Sequence, residues 1–341
     1  MVKTNRMELL STLNSVKPGL SNREVVEQST SFVFQAGQVI TYNDEIAIHA
    51  PLPEGFDLEG ATPAKELLSI LSRFKGEEVE IDLAENEIKL KCGRSRAGVR
   101  LEVTISLPLD ELKIPKKWNK LPVDFIEGLK ACIPSAARDM TYPILTTLHI
   151  TPDYVESSDN NRITRFELSA GEIKNEMLLP VEAAIALTKI SGLEKFAVND
   201  GWAHFTDDSG MIMSCRVSEG DYPNLDQHLE IDAVGSIELP GTIHEMLDRA
   251  GVFLSSAIDQ DNAVRIEVTD KGLMTVRGEG EFGWYEEACR VKWSGKEGIA
   301  FSVHPAHLAA ILETSKTVQV AEGRIAFSDL KFKHVVALEA Q

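Results

Sequence analysis

The residues whose types could do chemistry are few, and their spacing does not bring them together. His304 and His307 stand three apart, which on a helix places two imidazoles on one face as half of a metal site. No third ligand follows at a diagnostic distance, and His304 immediately precedes Pro305, where it serves as a helix cap. Glu286 and Glu287 offer paired carboxylates, but adjacent residues on a strand point to opposite faces. Gly278-Glu279-Gly280 lacks the rest of a phosphate-binding pattern, lies between strand-like segments and reads as a loop. No G-x-S-x-G or Walker sequence occurs. Cys92, Cys132, Cys215 and Cys289 lie far apart without a C-x-x-C pair, which suggests neither a zinc site nor a disulfide framework. The sequence predicts a protein that is not an enzyme and that uses no metal or cofactor.

Binding is then the remaining class of function, and charge is the first constraint on it. The chain of 341 residues carries 35 Lys and Arg against 53 Asp and Glu, a net charge of −18. That charge argues against a protein that coats nucleic acid by bulk attraction, because phosphate binding rests on Lys and Arg. Basic residues gathered on one surface would still permit it. Residues Met1–Leu20 carry Lys3, Arg6 and Lys17 with no continuous apolar run of the export type. No stretch approaches the roughly 20 apolar residues that span a bilayer. A soluble, cytoplasmic protein without a membrane partner is expected.

The elements that must position any site follow one pattern three times. A second-helix motif recurs at Thr62–Leu71, Leu179–Leu187 and His304–Leu312, in each case with Pro at or near the first turn and apolar residues at helical spacing. Thr62 reads as an N-cap. A strand, a turn and a strand follow each copy: Val79, Ile81 and Leu83, then Glu85-Asn86, then Ile88 and Leu90; Phe196 and Val198, then Asn199-Asp200-Gly201, then Ala203 and Phe205; Val318 and Val320, then Glu322-Gly323, then Ile325 and Phe327. An earlier helix opens each third, over Arg6–Val16, Val123–Ala137 and Pro240–Leu254. The repeat, at roughly 120 residues, has the length of an ordinary domain. Boundaries near Lys113–Lys117 and Ile231–Gly235 give three similar domains, 1–114, 115–232 and 233–341. Each is α+β, with two helices packed on antiparallel sheets.

Several segments resemble, in order, those of the bacterial DNA polymerase III beta subunit, the ring-shaped DNA sliding clamp. Tyr142-Pro143-Ile144-Leu145 resembles that family's R-P-I-L segment. Ser157–Ile163 stands where the family has A-T-D-G-H-R-L, with Asp159 and Arg162 matching and Asn160-Asn161 replacing Gly-His. Ser218–Asn224 is similar to its E-G-x-(Y/F)-P-(N/D) turn, Leu247–Ser255 to its third-domain R-A-A helix, and Lys333–Leu338 to its closing Y-V-V-M-P strand. Glu339-Ala340-Gln341 replaces the usual Met-Arg-Leu ending. The chain is also somewhat shorter than typical bacterial members, as in a diverged phage or mobile-element version.

The resemblance implies a head-to-tail homodimer closing a ring around duplex DNA, with helices inside and sheets outside. The polymerase and the clamp loader would dock through short linear motifs. Basic residues on or beside the repeated helices would line the channel: Lys17, Arg23, Lys65, Arg73, Lys75, Lys130, Arg138, Lys189, Arg249 and Lys316. Glu66, Glu182 and Asp248 share those helices, so the lining would be only weakly positive. The motif cleft would be built from Leu145, Ser158, Asn160, Asn161, Arg162 and Ile163, with Pro223, Gln227 and His228, and with Val335, Val336, Ala337 and Leu338. Its altered loop and tail imply a preference shifted toward a dedicated polymerase. Val252 and Phe253 would join the dimer interface. The alternative is a clamp-fold interaction scaffold that does not encircle DNA, which the acidic charge and the altered loop favour.

Overall fold

The structure, a computed structural model, describes residues 2–56, 58–84, 86–254, 263–305, 308 and 316–338. The third second-helix motif beyond Pro305 (Leu308 apart), His307 with it, Glu85 of the first turn, Ser255 and the tail 339–341 lie outside the described residues.

The chain begins with β1 (Val2–Asn5), α1 (Arg6–Ser15), β2 (Ser31–Gln35), β3 (Gln38–Tyr42), β4 (Ile46–Pro51), β5 (Gly60–Pro63), α2 (Ala64–Arg73), β6 (Glu78–Ala84), β7 (Glu87–Cys92) and β8 (Ser95–Arg100). Next come β9 (Asn119–Lys120), α3 (Phe125–Cys132), β10 (Thr147–Ile150), β11 (Tyr154–Ser158), β12 (Arg162–Glu167), β13 (Met177–Pro180), α4 (Val181–Leu187), β14 (Lys195–Asn199), β15 (Trp202–Thr206) and β16 (Ile212–Arg216). The rest holds α5 (Asp226–Leu229), β17 (Gly235–Glu238), α6 (Ile243–Gly251), β18 (Val264–Val268), β19 (Leu273–Gly280), β20 (Gly283–Arg290), β21 (Lys292–Trp293), β22 (Ile299–Val303), β23 (Thr317–Ala321), β24 (Arg324–Ser328) and β25 (Phe332–Ala337). Few helices on many antiparallel strands make the α+β class that the sequence predicts.

Packing gathers these elements into two compact units, Met1–Ile126 with Ser169–Glu219, and Glu127–Leu168 with Gly220–Gln341. In the first, one sheet runs β5-β2-β3-β4-β16-β15-β14-β9 and another β1-β6-β7-β8. Phe32, Phe34, Tyr42, Ile48, Leu71 and Phe205 are buried there, and α1 packs on α2. Asn5 caps α1, its Oδ1 accepting from the backbone N–H groups of Met7 and Glu8 at 2.9 and 3.1 Å. Thr62 is not the cap of α2. It is buried in β5, opposite Phe32 in the ladder, and its hydroxyl donates to the Arg100 carbonyl at 2.7 Å, so the helix starts two residues later. Leu83 and Val198, expected inward, are 46% and 48% exposed, because each sits beside the tip of its hairpin. Asp200 and Gly201, at φ 48 and 79, give the β14–β15 turn the two left-handed residues that a tight hairpin needs.

In the second unit the strands run β10-β11-β12-β25-β24-β23-β17-β21, and a smaller sheet runs β20-β19-β18-β22. The long sheet is covered on both faces. Val336, Ile325 and Phe327 pack with Met246 and Leu247 of α6 on one side. Val335, Ala326 and Ile163 pack with Leu225 and Leu229 on the other. Gly278-Glu279-Gly280, expected as a loop, is the end of β19. A Cβ on Gly278 or Gly280 would strike the carbonyl oxygens of Ala250 or Phe253, so these glycines serve close helix–strand approach. Glu286 and Glu287 point apart as expected, toward Arg277 at 3.3 Å and Arg249 at 2.7 Å. Among the described residues no helix is long and apolar enough to cross a membrane.

Candidate functional site

The second unit contains a cavity of about 310 Å³ built from five segments. Leu145 enters from the short turn Pro143–Thr146, and Ile163 from β12. Val335 and Ala337 come from β25, and Pro223 from the approach to α5. Ser158, Asn160, Asn161, Arg162 and His228 complete the sequence-expected part of the lining. Strand alternation decides which residues of β25 take part: Val335 and Ala337 face the cavity, whereas Val336 and Leu338 face the opposite core. Those two are packing residues, and Gln227 is exposed on α5 outside the lining. Asn224, Leu225, Gly323 and Arg324 also line the cavity, and sequence reasoning missed them. Leu225, an apolar residue two beyond Pro223, was a usable signal. Arg324 was not, since only the β24–β25 register brings it opposite Ala337.

The rim is fixed by the β11–β12 turn. Asp159 Oδ1 accepts from the backbone N–H groups of Asn161 and Arg162 at 3.1 and 3.0 Å, and its Oδ2 holds Arg162 Nε at 2.8 Å. The Ser158 hydroxyl donates to the Arg162 carbonyl at 2.9 Å and accepts from Asn160 N–H at 3.2 Å. Asn160 has φ 75, a left-handed conformation that Asn tolerates and a β-branched residue does not. Asn160→Val is therefore expected to cost roughly 1–2 kcal/mol in urea unfolding, while Asn160→Gly is neutral within error. Equal stability of the Val variant would refute the assignment.

Beneath the rim, a buried polar chain ties α5 to the sheet. The Tyr222 hydroxyl accepts from Ser158 N–H at 3.0 Å, and its ring stacks on His149 with centroids 5.0 Å apart. His149 Nδ1 lies 2.8 Å from Glu156 Oε1, and Glu156 Oε2 accepts from Arg165 Nη2 and Nε at 2.6 and 2.9 Å. Arg165 reaches on to Asp226 of α5 at 2.8 Å and covers the Tyr154 ring at 4.1 Å. Burial opposes the Arg165 charge, but Glu156 and Asp226 more than offset it and hold its pKa above the ordinary value. Burial pushes the Tyr222 phenol well up, with Glu156 adding to it, so it stays neutral as a hydrogen-bonding post.

The basic candidates divide between the units. In the first, Lys17 and Lys65 line the cleft between α1 and α2, and Lys65 and Arg73 border a second cleft against β8. Arg23, Lys75 and Lys189 are exposed in the same unit. In the second unit Lys130, Arg138 and Lys316 are exposed, and Lys130 shares a cavity of about 660 Å³ with Arg162 and Lys331. Arg249 differs from the others. Glu287 holds it at 2.7 Å, Tyr285 accepts from its Nε at 2.9 Å and Glu245 lies at 3.4 Å, so its charge is spent inside the unit. Hydrogen bonds from Tyr285 and Arg249 keep the Glu287 carboxyl below its usual range.

Val252, at the end of α6, is 74% exposed. The Phe253 ring is half-buried against Gly283, where a Cβ would lie 3.0 Å from Cε1. Beside them Phe282 and Trp284 are 90% and 57% exposed. Among the described residues no group of three His, Cys, Asp or Glu is placed to hold a metal ion.

The fold is that of the bacterial DNA polymerase III beta-subunit sliding clamps. The DNA polymerase III beta chain of Streptococcus pneumoniae matches with a TM-score of 0.83 at 17% identity, over 99% of each chain. The Thermotoga maritima beta subunit matches with a TM-score of 0.82 at 14% identity, over 100% of this chain and 99% of that one. The DNA polymerase sliding clamp of Bacillus subtilis matches with a TM-score of 0.81 at 15% identity, over 99% and 98%. No protein-family model matches the sequence, and no curated protein is similar to it at the sequence level.

Proposed function

We propose that this chain is a DNA polymerase processivity clamp. The observation that carries the reading is likeness along the whole chain, at TM-scores of 0.80 to 0.84, to sliding clamps and beta subunits. On this reading the three segments 1–114, 115–232 and 233–341 are successive clamp domains, and two chains close head to tail around duplex DNA. The exposed apolar cluster of Val252, Phe282 and Trp284, with Phe253 under it, is the natural contact for a second copy. Lys17, Arg23, Lys65, Arg73, Lys75, Lys130, Arg138, Lys189 and Lys316 supply phosphate contacts without sequence preference, and Arg249 supplies none. With a net charge of −18, enclosure holds the DNA more than attraction does. The cavity at Leu145 and Val335 receives the linear motifs of a polymerase and a loader. The same acidity would also suit a scaffold that does not encircle DNA.

Topology separates the two readings. A clamp is expected to have a solution mass twice that of the chain by light scattering. Once loaded on a closed plasmid it stays through gel filtration, and it leaves when one restriction cut linearises the DNA. A monomer at micromolar concentration, or equal retention before and after the cut, would favour the scaffold.

A further inference from the structure

We infer that the cavity is specific for the C-terminus of a partner chain, an apolar last residue with its free carboxylate, and that Arg324 reads that carboxylate. This rests on the docking reading of the same cavity. The floor is apolar, formed by Leu145, Ile163, Leu225 and Val335, so an apolar side chain is the natural anchor. Charge supplies the second half of the specificity. In a chain of net charge −18, no Asp or Glu among the described residues lines this cavity, whereas two guanidinium groups do. Two carboxylates beside the cavity are already engaged, Asp159 with Arg162 at 2.8 Å and Asp226 with Arg165 at 2.8 Å.

The two cations are not equivalent. Arg162 spends its Nε on Asp159, while Arg324 forms no ion pair among the described residues. Arg324 is half-buried and lies directly across the β24–β25 ladder from Ala337, whose single methyl leaves the wall open there. A planar guanidinium in that place matches a carboxylate in bidentate fashion. The geometry favours a terminal carboxylate over an acidic side chain. In an extended peptide the side chain after the anchor points the opposite way, whereas a terminal carboxylate sits on the anchor residue itself.

The test uses the full chain and fluorescence polarisation with a clamp-binding hexapeptide ending in Leu, made as the free acid and as the C-terminal amide. The free acid is expected to bind about tenfold more tightly than the amide. Arg324→Gln should abolish that difference, bringing the free acid down to the affinity of the amide. Equal binding of acid and amide, or a difference that survives Arg324→Gln, overturns this inference and leaves the docking reading standing. The inference also falls if an amidated peptide with Asp after the Leu binds as tightly as the free acid. Displacement of the free acid by oligothymidylate would assign the cations to phosphate instead. Absence of binding by either peptide overturns the docking reading and this inference together.

Discussion

Lowering the pH from 7 to 5 is expected to destabilise the first unit by roughly 2 kcal/mol for each of two buried histidines. His49 of β4 and His204 of β15 are 7% and 0% exposed. They stand opposite Ile212 and Ser214 of β16, two residues apart and so on one face of the sheet. Ser214 Oγ lies 2.8 Å from His204 Nδ1, but neither Nε2 has a hydrogen-bond partner among the described residues. A proton added there would create a buried charge with nothing to receive it. Both pKa values are lowered to about 4, by burial at His204 and by burial with a smaller contribution from His204 at His49. The unfolded chain takes these protons near the ordinary histidine value and the folded chain does not. Stability is therefore intact above that value, falls as the pH drops through it, and levels off only below about 4. Two such groups together, about 4 kcal/mol, approach the lower end of a whole domain's stability, roughly 5–15 kcal/mol. Urea unfolding at pH 7, 6 and 5 should show the midpoint falling steadily, and a His49→Gln, His204→Gln double variant should flatten that profile. A midpoint independent of pH in the native chain would show that the rings are not held neutral.

The helices and the strand–turn–strand hairpins among the described residues were legible because period-two and helical spacings survive at the level of residue type. Val318, Val320, Ile325 and Phe327 are all buried, as their alternation predicts. What the alternation could not carry was the behaviour of elements with two covered faces. β24 and β25 bury Ala326 and Val335 on the side opposite Ile325 and Val336, so an unbroken apolar run conceals which residues face the cavity. The resemblance to the closing strand of the clamp family groups Val335, Val336, Ala337 and Leu338 together and does not separate the two faces. Arg249 likewise reads as a solvated helix cation, and only the β19–β20 hairpin returning under α6 brings Glu287 to it. Arg324 reaches the cavity through strand register alone, a relation between residues that are far from their partners in sequence. Asn160 is the opposite case. The residue that replaces glycine in the related motif is one that accepts the same left-handed turn, so the local sequence contained the answer.

Leu145→Asp should weaken peptide binding about a hundredfold, the effect of losing a buried anchor contact at the centre of a docking site. Leu145 is 8% exposed and lines the cavity together with Ile163 and Val335, where on the docking reading it would meet the ligand. The substitution removes apolar area that the ligand would cover and places a carboxylate where Arg324 and Arg162 can pair with it, competing with the ligand for the same cations. The turn that presents residue 145 is held by backbone bonds rather than by the side chain: Leu145 N–H donates to the Tyr142 carbonyl, and Ala137 N–H to the Leu145 carbonyl, both at 2.9 Å. The variant should therefore keep its fold and its solution mass, which separates lost docking from lost structure. Leu145→Ala gives the control for apolar contact alone, with a loss of about tenfold and no new charge. If Asp and Ala weaken binding equally, the added carboxylate is silent and the cations are not at the ligand. If neither changes the affinity measured by polarisation, the peptide binds elsewhere and the cavity is not the docking site.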